Sequence, residues 1–297
     1  MVNVGHVPST EDNTAKTFVV TGGTSGIGLA LAHALAHTAG RLVIVGRDEA
    51  RLHAAVEALG HEERQLELIP ILADLGTIAG ARALAEQLDR LPRIDVLIHN
   101  AGLLPAQRRM TADGFEESFA TNHLAPFILN HRLRTRLIAS APSRVVQVSA
   151  GLAFSVRVDL EGDPCGVWFE PISTYARTKL WNLLATLAFA ADLGGSGVTV
   201  NAVHPGVVRT RLGDGAPGVP SAEARRGWLS PEEGALGPLH LATAPELART
   251  TGRFFDQTRE VSIHLPDDRA EAVVQSTLEA LGHPHNSSGT TPSSKRR

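Results

Sequence analysis

The apolar run Thr17-Phe18-Val19-Val20 passes through Thr21-Gly22-Gly23-Thr24-Ser25-Gly26-Ile27-Gly28 directly into Leu29-Ala30-Leu31-Ala32. A β-branched run of this length reads as a buried strand and the leucine-alanine stretch as a helix, so the glycines make a tight strand-to-helix turn. Glycine tolerates positive φ and has no side chain to block an approaching phosphate. The first amides of the helix then face an anion. A purely structural turn uses the same glycines, and the spacing Gly22-x-x-x-Gly26-x-Gly28 departs from the general G-x-G-x-x-G pattern. Placed between a strand and a helix at the head of an α/β chain, the turn is read as nucleotide-binding, with Thr24, Ser25 and Ile27 beside the diphosphate.

The rest of the chain repeats this alternation. Strands are predicted at Thr17–Thr21, Arg41–Val45, Leu66–Leu72, Val96–His99, Arg144–Ser149, Thr199–Val203 and Gly252–Phe255. Helices are predicted at Ile27–Ala39, Asp48–Leu59, Ile78–Asp89, Gly114–Ala139, Thr174–Leu193 and Pro231–Ala242. Short apolar strands each followed by a helix imply an α/β fold, a Rossmann-type doubly wound parallel sheet with helices on both faces. Ligands are then expected beyond the carboxyl ends of the strands. The 297 residues suit one domain over 15–282, with a flexible arm at 1–14 and a disordered polar tail at 283–297.

Hydrophobic residues reach 43% but aromatics only 4%, so aliphatic and alanine packing must build the core. A formal charge of −3 argues against a broad nucleic-acid surface. Cys165 is the only cysteine, which excludes an intramolecular disulfide or a Cys-based zinc site and fits a reducing, cytoplasmic setting. No His/Asp/Glu group has metal-ligand spacing, so no metal is expected. The first residues lack a signal-peptide pattern and no apolar run reaches membrane-spanning length, so a soluble protein without membrane insertion is expected.

At the end of the second strand stands Gly46-Arg47-Asp48. An acid near here holds both ribose hydroxyls in NAD-preferring domains, whereas an arginine pairs with a 2′-phosphate, so Arg47 favours NADP(H). Asp48 has two readings: turned inward it admits NAD, turned outward it caps the next helix.

Taken together with later motifs, these residues resemble the short-chain dehydrogenase/reductase family over roughly residues 15–260. The resemblance rests on Thr21–Gly28, Asp74-Leu75, Asn100-Ala101-Gly102, Asn122, Tyr175-x-x-x-Lys179, and Pro205-Gly206 with Thr210. It implies that Asp74 and Leu75 hold the adenine and that Asn100, Ala101 and Gly102 line the cofactor. It also implies that Pro205, Gly206, Val208 and Thr210 reach the nicotinamide, with Thr210 on its carboxamide. Gly46-Arg47-Asp48 and the long segment before Tyr175 are most similar to the retinol-dehydrogenase-like and protochlorophyllide-reductase-like branch.

Tyr175 and Lys179 lie four apart on a predicted helix and so share a face. A free phenol has a pKa of about 10 and is a poor base at neutral pH. A nearby ammonium and a positive nicotinamide ring would lower it. Tyr175 is therefore read as exchanging a proton with a substrate oxygen while hydride moves at the nicotinamide. The resemblance implies that Lys179 also holds the ribose and that Asn122 anchors a water leading to Lys179.

One position departs from the family. The strand ends in Ser149-Ala150 where the family commonly has Ser-Ser, and the second of these supplies the substrate-binding hydroxyl. Ser149, one residue earlier on an extended chain, points to the other face. Loss of one such donor typically costs about 2.7–4 kcal/mol. Three explanations stay open: a bulge that restores Ser149, a substrate that needs less polarisation, or a different chemistry. Ser155, Ser173 and Thr174 are candidate replacements.

On the substrate side, Phe154, Trp168 and Phe169 in the connection Leu152–Ser173 form either a pocket wall or a plug at the core edge. The Gly/Pro-rich stretch Arg211–Pro220, with Leu212, falls where the family keeps a substrate lid. Arg209 and Arg211 are candidates for an anionic substrate, Trp181 for core or subunit contact, and His204 for packing at a strand end. The leading reading is an NADP(H)-dependent oxidoreductase interconverting a carbonyl and an alcohol on a largely apolar small molecule. The alternative keeps the nucleotide site but makes the protein a cyclase, an isomerase or a cofactor-gated binding protein. A homodimer through the helices of Asn122 and Tyr175 is expected from the family, against the long connection that would obstruct it.

Overall fold

The computed structural model describes residues 15–60, 66–263, 265 and 267–282; the arm read over 1–14 and the tail read over 283–297 lie outside the described residues. The first half runs β1 (Thr17–Thr21), α1 (Gly26–Ala36), β2 (Arg41–Gly46), α2 (Glu49–Leu59), β3 (Glu67–Leu72), α3 (Ile78–Asp89) and β4 (Val96–His99). After a broken helical stretch come β5 (Ser143–Val148), the long α7 (Pro171–Asp192), β6 (Val198–His204), α8 (Pro231–Thr243), β7 (Phe254–Asp256), β8 (Arg259–Val261) and α9 (Asp267–Gly282). The strands form one sheet in the order β3-β2-β1-β4-β5-β6-β7-β8. All neighbours pair in parallel except β8, which closes the edge antiparallel to β7. Alternate strand residues feed two aliphatic cores, Val19 and Val43 on one face, Phe18 and Val20 on the other. The reversal of strand order between β1 and β4 leaves a crevice at the carboxyl ends, as the alternation predicted.

Beyond the edge strand β8, for which no strand was predicted, three elements differ from expectation. The helix predicted over Gly114–Ala139 is broken into α4 (Glu117–Phe119), a π-helical turn at Ala120–Leu124, α5 (Ala125–Arg132) and α6 (Arg134–Ala139). Pro126 has no N–H for the Asn122 carbonyl and its ring crowds that oxygen, so a widened turn forms just before it. The last parallel strand starts two residues later than predicted, because Gly252 takes φ +69° in the preceding turn. The third is α9, which was not anticipated. It packs on α7 through Ala270 and Val273, and Thr277 meets the fully buried His123 at 2.8 Å.

Candidate active site

A cleft of about 1010 Å³ opens across the carboxyl ends of β1, β2, β4, β5 and β6. Its nucleotide-side wall is the glycine turn. Gly22 and Gly26 sit at φ +67° and +52°, where a side chain is strained. Gly28 lies behind the wall rather than in it: a Cβ there would fall 2.2 Å from the Gly22 carbonyl oxygen and 2.4 Å from Asn100 Nδ2. Its role is close packing of strand to helix. Asn100 stitches the turn from below, donating from Nδ2 to the carbonyls of Thr21 and Gly22, while the amides of Asn100 and Ala101 donate to Thr21 Oγ1.

Helix α1 begins without a side-chain cap on Ser25 and without an acid in its first turn. By contrast α2, α3, α7 and α8 are capped by Asp48, Thr77, Glu170 and Ser230. An uncapped helix start in a cleft wall of glycine, threonine and serine fits an anion. Arg47 is exposed at the end of β2, 3.9 Å from Glu117, and both line the cleft. Of the two readings of Asp48, capping is observed: its carboxylate accepts from Arg51 N at 3.0 Å. Asp74 lines the cleft with Leu75 and holds its own turn by accepting from Gly76 N.

Tyr175 and Lys179 face the same cleft from α7, together with Ala150, Gly102, Pro205, Gly206, Val208 and Leu212. Lys179 Nζ stands 5.5 Å from the Tyr175 ring centroid and donates to the Val148 carbonyl at 2.9 Å. Burial lowers the Lys179 pKa to about 8. Burial pushes the Tyr175 phenol above its ordinary value, because the phenolate would lose its contact with water. The phenol is therefore neutral at pH 7, the form that can give a proton.

Asn122 is also placed differently. It is fully buried in the π turn and does not line the cleft. Its Nδ2 donates to the Leu103 carbonyl and to Thr178 Oγ1, both at 2.9 Å, and its Oδ1 accepts from Leu103 N at 2.7 Å. Thr178 in turn donates to the Tyr175 carbonyl. With both amide hydrogens engaged, the side chain braces the cleft floor against α7. Gly102 is the meeting point: a Cβ on it would lie 3.5 Å from Asn122 Oδ1 and 3.6 Å from Lys179 Nζ.

Ser149 lines the cleft beside Ala150, but its hydroxyl is engaged by the backbone of α7. Ala150 lines the cleft in extended conformation, with no bulge, at φ −149° and ψ 149°. Ser149 donates to the Lys179 carbonyl at 3.2 Å, and the hydroxyl of Ser155 donates to the Leu152 carbonyl. Thr174 Oγ1 accepts from Glu170 N, and neither Ser155, Ser173 nor Thr174 reaches the cleft. The aromatic wall is a correction too. Trp168 is 73% exposed, Phe154 stacks edge-on against Phe254, and neither these nor Phe169 line the cleft. Asp163 explains why: it accepts from Trp181 Nε1 at 2.9 Å and pairs with Arg177 at 2.8 Å, strapping the connection along α7. Trp181 is fully buried in the core.

The stretch after Thr210 does fold over the cleft, and a residue that sequence reasoning missed holds it. The buried Arg225 guanidinium pairs with Asp214 and donates to the Thr210 carbonyl at 2.7 Å. Arg109, Arg209 and Arg211 join Leu104 and Leu212 in the lining there. Among the described residues no group of acids, histidines and cysteine could hold a metal, and no helix is long and apolar enough to cross a membrane.

The family model for short chain dehydrogenase matches residues 16–217. Human retinol dehydrogenase 14 is 35% identical over 281 residues, covering 88% of this chain and 83% of the relative. Bovine dehydrogenase/reductase SDR family member 13 is 38% identical over 265 residues, covering 86% and 70%. Among solved structures, a short chain dehydrogenase from Burkholderia cenocepacia J2315 in complex with NADP superposes with a TM-score of 0.67 at 25% identity, covering 83% of this chain and 97% of that one. With the family model running from the residue before β1 to the loop beyond Thr210, and relatives this similar along most of its length, the chain belongs to the short-chain dehydrogenase family.

Proposed function

We propose that the protein is an NADP(H)-dependent oxidoreductase that interconverts a carbonyl and an alcohol on a largely apolar small molecule. The observation that carries this is the placement of Tyr175 and Lys179 in one cleft with the uncapped start of α1. The glycine turn and Ser25 would hold the diphosphate, and Arg47 the 2′-phosphate. Asp74 and Leu75 would border the adenine, Asn100, Ala101 and Gly102 the middle, and Pro205, Gly206, Val208 and Thr210 the nicotinamide end. The bound cofactor supplies or takes up hydride. The neutral Tyr175 phenol gives its proton to the substrate oxygen in reduction, and Lys179 stands by to stabilise the phenolate left behind.

The retinol-dehydrogenase side of the family resemblance supports apolar aldehydes and ketones as the first substrates to try. A homodimer through the helices of Asn122 and Tyr175 belongs to the same reading, and α9, which packs on α7, would then stand at that face. One observation keeps a second reading: Ala150 supplies no polarising hydroxyl, as a cyclase, an isomerase or a cofactor-gated binding protein would tolerate.

Following NADPH absorbance with a panel of aldehydes, ketones and quinones separates the two, and Tyr175→Phe sharpens the result. The variant is expected to lose turnover by about 10²–10⁴-fold while keeping NADPH affinity. NADPH binding by the wild type without oxidation by any member of the panel would leave the second reading standing.

A further inference from the structure

Ala150 leaves a carbonyl in this cleft with one proton donor, Tyr175, and no second hydrogen bond to polarise it. The groups that could have replaced a serine hydroxyl are committed elsewhere. Among the polar side chains of the cleft that the serine's neighbours do not engage, one stands beside Ala150 in the adjoining strand. His204 ends β6 and shares the cleft with Ala150, Tyr175 and Lys179.

Its direction follows from register. Gln147 pairs with Ala202 and Val148 with Val203, so the next residues along, Ser149 and His204, stand side by side. Ser149 N donates to the Val203 carbonyl at 2.8 Å, which keeps the strands together to that point. Parallel neighbours in register point to the same face. For Ser149 that face is α7, where its hydroxyl meets Lys179. On that side the ring of His204 lies against the chain at Gly151, the residue after Ala150. A Cβ built on Gly151 would sit 3.5 Å from both Nε2 and Cδ2 of His204.

The other nitrogen is shut in. His204 Nδ1 is buried and has no hydrogen-bond partner. Burial lowers the pKa of the ring, opposed by Asp256, which pairs with His204 in the β6–β7 register, so the ring is neutral and carries one proton. On Nδ1 that proton would be a buried donor with nothing to donate to, which is the rarer kind of unsatisfied group. On Nε2 it leaves Nδ1 an acceptor only and puts the N–H on the atom beside Gly151, in the cleft that His204 lines.

We propose that His204 Nε2–H donates the hydrogen bond to the substrate oxygen that Ala150 cannot supply, leaving proton transfer to Tyr175. This role rests on the carbonyl–alcohol reading above. It requires no change of protonation at His204 during turnover: the imidazole polarises the oxygen and Tyr175 gives the proton.

The test is a set of three variants assayed for carbonyl reduction and for NADPH affinity. His204→Ala should lower kcat by about 10²–10³-fold with NADPH affinity kept, the usual effect of removing one such donor. His204→Gln places an amide N–H close to Nε2 and should recover most of the lost rate. His204→Asn, whose amide reaches only the Nδ1 position, should behave like His204→Ala. Equal turnover by wild type and His204→Ala, or rescue by Asn as good as by Gln, would overturn the role. Nitrogen NMR of the wild-type NADPH complex decides the matter even where a variant fails to fold, because a proton found on Nδ1 also overturns it. A wild type that binds NADPH but reduces nothing sinks the oxidoreductase reading and this role with it. An active wild type indifferent to His204→Ala sinks this role alone.

Discussion

The two ends of the cleft are built by different means. At the nucleotide end, around β1, β2 and β4, the surface is backbone, shaped by glycines whose conformation a neighbouring residue would break. At the substrate end, beyond β5 and β6, the surface is side chain: Ala150, His204, Leu212 and arginines held by loops. A backbone surface is specified locally and tolerates little change. A side-chain surface is specified by what long connections deliver, and it can be altered one group at a time. The substrate end is therefore where a member of this family can lose a serine and keep its fold.

The largest expected effect tests the rigid end. In Gly28→Ala the new Cβ meets the Gly22 carbonyl oxygen at 2.2 Å, and that oxygen is backbone with no room to retreat. The turn must open, and NADPH affinity should fall by about 100-fold or more, together with a lower Tm, equivalent to losing roughly 3 kcal/mol. Gly227→Ala is the control. Nothing lies within 4 Å of its would-be Cβ, so Tm should hardly move. Calorimetry showing intact NADPH binding in Gly28→Ala would break the contrast between the two ends.

Arg47→Ala is expected to act less strongly and more selectively. The side chain is 57% exposed and loosely paired with Glu117, so its removal leaves no buried charge behind. A hydrogen bond to a charged group is worth about 1.5–3 kcal/mol, so NADPH affinity should drop roughly 10- to 100-fold while NADH affinity stays. An unchanged ratio of the two affinities would move the 2′-phosphate away from Arg47, with Arg51 the next cation along the wall.

The same division explains what could be read from the chain alone. The sheet, the glycine turn and the Tyr175–Lys179 pair are local patterns, and the structure brings them together at the carboxyl ends of the strands. Trp168 and Phe169 stand out in the sequence because aromatics are scarce, and both a pocket wall and a core-edge plug fit them there. Their direction is set instead by Asp163, Arg177 and Trp181, which come together only after the connection folds back on α7. Arg225 carried no signal either, since its partners Asp214 and Thr210 are met through a loop whose turns depend on Gly213 and Gly215 at positive φ. Asn122 was legible as a residue but not as a brace, because its partners Leu103 and Thr178 lie on separate segments brought together by the π turn.

The smallest expected effect belongs to the adaptable end. Ala150→Ser adds one hydroxyl at a cleft-lining position whose backbone is already extended, so no strain accompanies it. With the whole donor function missing, the substitution should raise kcat by about 10²-fold or more. With His204 already hydrogen-bonded to the substrate oxygen, the new hydroxyl is a second donor to a partner that is largely satisfied. Carbonyl reduction should then be preserved or rise only by about threefold, whereas the same change in a His204→Ala background should recover much more, since contacting groups that share a function are not additive. Steady-state kinetics on the single and double variants measures that difference directly. A large loss in Ala150→Ser alone would mean that the alanine is needed for its small size, and the substrate end would then be as tightly packed as the glycine turn.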